Sequence, residues 1–338
     1  MDSLNKFINS LKVKKISYED LYYLNELLKS NLPIKTCFKL LTNSKNEYLY
    51  EDLLTRLDKG EIIEDIIYEY LPNEIVKYMA NLLKRMSFKE SLELALSFVK
   101  KNKENEKALE KSISYPILIL FMSLACLYLF DAYGLDTILD LMKTFNTDVT
   151  FFSYARVFMR IVINVFFIGF IVLMILVLLF LNPKKITFMY ILLSKYFPNS
   201  LIHIYFTEDF ISLFIISLDL GYKTKEALEI LKGLKNKPIV SLLAFHLDER
   251  LLEGSSLKEA TKQIYFDETL ERFISIASYS TDFTGVLQNY AILSNEKIKN
   301  KMKKYTKILQ ISSYVIIGIV IIFIYQVLFL PMKAIAAF

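Results

Sequence analysis

The chain has 338 residues, 54% hydrophobic and 23% charged, with eight Gly and seven Pro, so apolar and charged blocks alternate and long disordered linkers are excluded. Its net charge of +5 comes from 41 basic residues interleaved with 36 acidic ones, which reads as solvated helix faces rather than a nucleic-acid surface. Cys37 and Cys126 have neither zinc-site nor disulfide-framework spacing.

Residues 1–16 form a basic lead without an apolar core of signal-peptide length, so the N-terminus is expected to stay inside the cell. Lys12, Lys14 and Lys15 suit either a flexible tail or contact with anionic lipid. Ser17 reads as a helix N-cap with Asp20 in a capping-box position. Leu21, Leu24, Leu27 and Leu28 then follow at helical spacing. Asn31-Leu32-Pro33 breaks that helix, and Phe38, Leu40 and Leu41 mark the next. Leu49, Leu53, Leu54 and Leu57 mark a third, ended by Gly60 as a C-cap. Ile62–Ile67, Ile75–Met86 and Leu92–Val99 supply further stripes. No strand-like alternation persists, so this block is expected to be a bundle of about six short helices.

A mixed Lys/Glu helix, 100–111, leads into the apolar run Ile113–Phe130, which is extendable to Tyr133 and carries Tyr115-Pro116 just inside its start. A second run, Val157–Leu181, follows. About 20 apolar helical residues cross a bilayer core, so the two runs read as a membrane hairpin. Arg160 lies near enough to one end to snorkel. The connecting residues 131–156 hold four aspartates against Lys143 and Arg156. Basic clusters instead precede the first run, follow the second at Lys184 and Lys185, and precede a third run at Ile308–Pro331. The positive-inside rule then puts the two polar blocks in the cytoplasm and residues 131–156 and the tail outside. Residues 186–206 are apolar but broken by Lys195 and Pro198, and are expected to lie at the membrane surface or against the second bundle rather than to cross.

From Thr207 the plan of the first block returns. Leu27–Leu41 matches Ser217–Leu231, with Gly221 where Asn31 stands, and both residue types tolerate positive φ. Thr55–Ile66 matches Glu249–Ala260, pairing Arg56 with Arg250 and Gly60 with Gly254. Leu71–Met79 matches Tyr265–Phe273. Each copy continues through a charged helix into an apolar run. The divisions are therefore a bundle at 1–112, a hairpin at 113–181 with spans 113–133 and 157–181, a bundle at 182–307, a span at 308–331 and a tail at 332–338.

Catalytic clusters are hard to find. His203 and His246 each lack a His or Cys at i+3 or i+4. Glu208-Asp209 is expected to open a long helix and favour its positive dipole end. Asp282, Thr284 and Gly285 form either an exposed acid-hydroxyl turn for a partner or a helix N-cap. Asn164 and Gln326 suit hydrogen bonds between membrane helices or simple interior packing. No catalytic, cofactor or metal residues are assigned.

The layout, two six-helix bundles each feeding a membrane helix with an extra crossing between them, resembles the type II secretion F family. The family's turn with Gly and Ala-Leu run appears at Leu220–Leu228, and its Gly-Glu-x-Ser/Thr-Gly-x-Leu turn at Thr281–Leu287 with the first Gly replaced. That turn is degraded to Met86–Leu92 in the first copy, and the family's Tyr-Pro appears as Tyr115-Pro116. Gly60, Gly221, Gly254, Asp282, Thr284, Gly285, Tyr115 and Pro116 are the motif and partner-contact candidates. The resemblance implies an all-α polytopic platform in the bacterial inner or plasma membrane, without catalysis or cofactor. It implies a hexameric assembly ATPase, pilin or pseudopilin subunits and other inner-membrane assembly proteins as partners, and a homo-oligomer that binds no nucleic acid directly. The degraded first copy and Lys/Ile/Asn bias look most like the competence branch of Gram-positive bacteria, which handles DNA uptake; type IV pilus and type II secretion machines are the sister settings. A membrane-anchored scaffold or signalling protein, or a small transporter, are the rival readings.

Overall fold

The computed structural model describes residues 15–43, 46–137, 140, 150–181, 183–198, 200–262 and 265–336, and every regular element among them is helical. The basic lead with Lys12 and Lys14, and the acid-rich stretch 141–149, lie outside the described residues. The chain divides into two compact units, Met1–Asn105 with Thr187–Asn295, and Glu106–Ile186 with Glu296–Phe338.

The first unit is built in two runs of short helices. The first run comprises α1 (Tyr18–Lys29), α2 (Ile34–Leu41), α3 (Glu47–Asp58), α4 (Ile63–Ile66) and α5 (Asn73–Leu82), then the start of α6 (Phe88–Leu129). The second follows α7 (Thr150–Leu181) and α8 (Pro183–Tyr196). It comprises α9 (Leu201–Asp219), α10 (Thr224–Lys232), α11 (Pro238–Leu252), α12 (Leu257–Thr261), α13 (Glu268–Ala277) and the start of α14 (Phe283–Ala336). Local chemistry sets the starts: the Ser17 hydroxyl accepts from the Asp20 N–H at 3.0 Å, and the Ser256 hydroxyl from the Glu259 N–H at 3.3 Å. Each amphipathic helix buries its stripe, as α1 does with Leu21, Leu24 and Leu28 and α13 with Leu270, Ile274 and Ala277.

Two helices are buried nearly all round. The start of α6 buries Leu92, Leu94, Ala95, Leu96, Phe98 and Val99, and α9 buries every residue from Thr207 to Ile215. Both have the burial of central helices. Among the described residues, Ile117–Thr137 and Leu201–Asp219 are long and apolar enough to cross a membrane. The second, however, is two-thirds buried within the first unit and packs on α10 and α11, which is how a core helix behaves.

The structure changes several expectations. The stripe Leu92–Val99 is not a separate bundle helix but the start of a 42-residue helix in which the charged stretch 100–111 runs, as expected, straight into the first apolar run, with no glycine to interrupt it. Residues 186–206 contribute to two helices, α8 ending at Tyr196 and α9 beginning at Leu201, with Pro198 between them. α8 packs against the second bundle, with Tyr190 buried and its hydroxyl donating to the Tyr265 carbonyl at 2.6 Å. The match of Leu71–Met79 with Tyr265–Phe273 slips by one residue. Ile75 and Met79 share their buried, helical setting with Leu270 and Ile274, because α5 and α13 begin at Asn73 and Glu268.

In the second unit, a π-turn at Phe130–Gly134 follows α6 and touches α7. The π-turn carries buried Asp131, whose carboxylate lies 3.3 Å from the Arg160 Nε and 3.5 Å from the Arg156 Nε. Arg160 thus faces an acid of the neighbouring helix while its side chain stays 57% exposed. This unit also carries most of the large apolar side chains left exposed, including Ile117, Phe121, Val165, Phe167, Ile168, Ile311 and Val315.

Candidate functional site: turns, caps and a charged seam

Four described residues have positive φ: Asn31 at 58°, Gly60 at 86°, Gly221 at 92° and Gly254 at 87°. They occupy the two pairs of positions that the sequence match brings together. Each closes its helix with the same two backbone bonds. The N–H groups of Asn31 and Leu32 donate to Leu28 and Leu27, and those of Gly221 and Tyr222 to Leu218 and Ser217. Gly60 and Glu61 donate to Leu57 and Arg56, and Gly254 and Ser255 to Leu251 and Arg250. At Gly221 nothing stands within 4 Å of the point a Cβ would occupy, so only the backbone conformation demands glycine there.

The two long helices also begin alike. At α14, Asp282 caps: its Oδ1 accepts from the Gly285 N–H at 2.9 Å. Thr284 turns its hydroxyl toward the same oxygen at 3.5 Å. A Cβ on Gly285 would stand 1.9 Å from Asp282 Oδ2, so the glycine makes room for the cap. At α6 the capping acid sits at the other end of the exchange. The Ser87 N–H and hydroxyl donate to Glu90 Oε2 at 3.0 and 2.8 Å, and the Glu90 N–H returns to the Ser87 hydroxyl at 3.4 Å. The stretch that looks degraded in sequence thus keeps a cap by a capping box.

Charged side chains join the two runs of the first unit. The Arg85 Nη1 donates to the Glu229 carbonyl at 2.7 Å and its carboxylate at 3.0 Å. Lys232 sits 2.5 Å from both Glu229 and Asp248. The Lys232 hydrogen bond, and then that of Arg85, holds the Glu229 carboxyl below its ordinary range against the pull of burial. The Tyr222 hydroxyl points at Met86 Sδ, 3.6 Å away. Between these groups a cleft of about 290 Å³ is lined by Glu90, Glu93, Gly221, Tyr222 and Glu226. Burial, and then the fields of Glu90, Glu93 and Glu226, push the Tyr222 phenol up. Of these acids Glu93 is already paired, with Lys29 Nζ at 3.1 Å.

Deeper in the seam lies a contact that sequence reasoning missed. Ser200 caps α9, accepting from the His203 N–H at 3.2 Å, so Glu208 and Asp209 fall two turns inside rather than at the helix start. Their dipole role is thereby overturned. Glu208 Oε1 accepts from Lys101 Nζ at 2.8 Å, Asn295 Nδ2 at 2.8 Å and the Ser212 hydroxyl at 2.6 Å. Asp209 pairs with Lys237 at 2.8 Å, and both acids are 1% or less exposed. In the first run the residue before α3, Asn46, likewise reaches an acid of α1, donating to Asp20 at 3.3 Å.

Of the sequence candidates, Gly221 lines the cleft, while Asp282 caps α14 by accepting from the Gly285 N–H, with Thr284 beside it. Tyr115 and Pro116 belong to the second unit, where Tyr115 is exposed and α6 continues through the proline. Pro116 has no N–H, so it cannot supply the i+4 donor that the Ser112 carbonyl would meet in a regular helix. His203 is buried and stacks on Tyr190, and His246 stacks on Tyr265. Among the described residues no three His, Cys, Asp or Glu side chains come together as a metal-holding group.

Residues 210–331 match the family model described as type II secretion system (T2SS), protein F. This span runs from α9 through all but the last residues of α14. No curated protein matches the chain.

Proposed function

We propose, from the premise that the chain carries a type II secretion system F domain over residues 210–331, that it is a non-catalytic membrane platform for assembling a pilus-like filament. In this reading the first unit holds two copies of one six-helix module on the cytoplasmic face, and residues 113–133, 157–181 and 308–331 cross the membrane. The N-terminus is cytoplasmic and the C-terminus external. The module's surface docks a hexameric assembly ATPase, and the apolar helices receive pilin or pseudopilin subunits. Homo-oligomers of the platform pass ATPase motion to filament growth, in a competence, pilus or secretion machine.

The observation that carries the reading is the coincidence of the four positive-φ turns with the two matched pairs of positions. Six helices run from α1 to α6 and six from α9 to α14, and their left-handed turns end the first and third helix of each run. The exposed apolar side chains of the second unit support membrane immersion, since soluble surfaces rarely keep such patches. The test is affinity purification of the full-length protein from its native membrane in mild detergent. Recovery of a hexameric assembly ATPase with prepilin-type subunits supports the platform. Recovery of other cytoplasmic proteins alone replaces it with a scaffold role.

A further inference from the structure

α8 divides its residues between two opposite faces. Tyr190 and Ser194 are each 1% exposed and point into the first unit. On the other face, at helical spacing, stand Lys185, Phe188, Leu192, Lys195 and Tyr196. Phe188, Leu192 and Tyr196 are 68%, 48% and 64% exposed. A helix packed against its own protein by one face has no need of three large apolar side chains on the other.

We infer that this outward face of α8 lies in the bilayer interface, against anionic headgroups and the upper acyl chains. The inference rests on the reading that residues 157–181 cross the membrane. Three observations select lipid as the occupant. Along the chain, a single residue, Asn182, separates the apolar run ending at Leu181 from the first residue of α8. The exposed face mixes lysines with aromatic and aliphatic residues, the composition of a helix lying in an interface. α8 contains no acid, so its lysines bring positive charge to that face, and Lys195 Nζ sits 5.8 Å from the Tyr196 ring centroid. With its inner face fixed in the core, α8 ties the first unit to the membrane surface.

The test uses the full chain with Cys37→Ala and Cys126→Ser, in vesicles of phosphatidylcholine containing phosphatidylglycerol. Ala227 occupies the position matched to Cys37, so the first change suits the fold. Spin labels are placed singly at Phe188→Cys and Leu192→Cys, with Ile168→Cys as the spanning reference and Tyr48→Cys as the aqueous one. The inference expects labels at 188 and 192 to collide more with oxygen than with a nickel chelate, at a depth shallower than 168. Labels at 188 and 192 that match 48 while 168 reads lipid overturn the inference and leave the spanning reading intact. Labels shielded from both reagents reveal a protein partner and overturn it equally. A water-like 168 removes the spanning reading and the inference with it. Lys185→Gln with Lys195→Gln is expected to move the 188 label outward; an unmoved label overturns the anionic-headgroup contact.

Discussion

Lys101 Nζ and Glu208 Oε1, 107 residues apart in sequence, meet at 2.8 Å in the interior of the first unit. Their side chains are 18% and 1% exposed, so the cost of the pair lies mainly in burial of the acid. Removing the lysine strands a charge in a place water barely reaches. Lys101→Met is expected to cost about 3–5 kcal/mol, read as a lowered thermal midpoint of the detergent-solubilised protein. Joining it with Glu208→Leu is expected to restore most of that loss. A double variant as unstable as the single one refutes the burial argument.

The cap of α14 depends on two residues acting as one. Asp282→Ala removes the acceptor, and Gly285→Ala forces the carboxylate away from its place. Each is expected to cost about 1 kcal/mol. Because both lose the same bond, the double variant should cost little more than either alone. Thr284→Ala should be nearly silent, since its 3.5 Å contact is marginal. Chemical denaturation of the four variants measures these differences.

At Gly254 the demand is conformational, with φ at 87° and nothing within 4 Å of an added Cβ. Gly254→Ala is expected to lose about 1–2 kcal/mol through the left-handed backbone alone. Gly318 lies in regular helix with the same open space, so Gly318→Ala should be neutral or stabilising. Equal losses at both sites, in the same melting assay, contradict the backbone account.

Stability should vary with pH in a definite direction. The Tyr18 hydroxyl bond, and then that of Lys103, hold the Glu74 carboxyl below its ordinary value; Lys232 and then Arg85 do so for Glu229. A depressed carboxyl adds stability above its unfolded pKa of about 4.3, lost as pH falls through the folded value. Burial first, and Glu74 next, raise the Tyr18 phenol. That contribution is full below about 10 and is lost as pH rises through the raised value. Burial also raises the Cys37 thiol, whose contribution is lost as pH rises beyond about 8.5, so the thermal midpoint should be flat between about 5 and about 8 and fall on both sides. Both carboxylates are partly exposed, which keeps the acid slope shallow. Glu74→Gln should flatten it further.

Legibility in sequence follows the range of the interaction. Ser17, Gly60, Gly221, Gly254 and Asp282 are readable because a cap or a left-handed turn is decided within a few residues. Their pairing is readable because the same turn chemistry occurs twice. Glu208 misleads because its partner Lys101 belongs to a distant helix, and because the Ser200 cap moves the helix start back by two turns. The Asp131 contact of Arg160 is unreadable for the same reason: only the fold brings the two together. The cap at Ser87 is hidden because its acid moves from the cap position to Glu90 while the hydrogen-bond exchange survives.

The first unit draws on two stretches of chain with residues 106–186 made between them. Ribosomes add about 5–20 residues each second, so Lys101 waits roughly 5–20 s for Glu208 to be synthesised. During that wait the apolar stretch 113–181 leaves the ribosome and meets its own surroundings. Translation speed, rather than collapse of the nascent chain, therefore sets the earliest moment at which the two runs can close on each other.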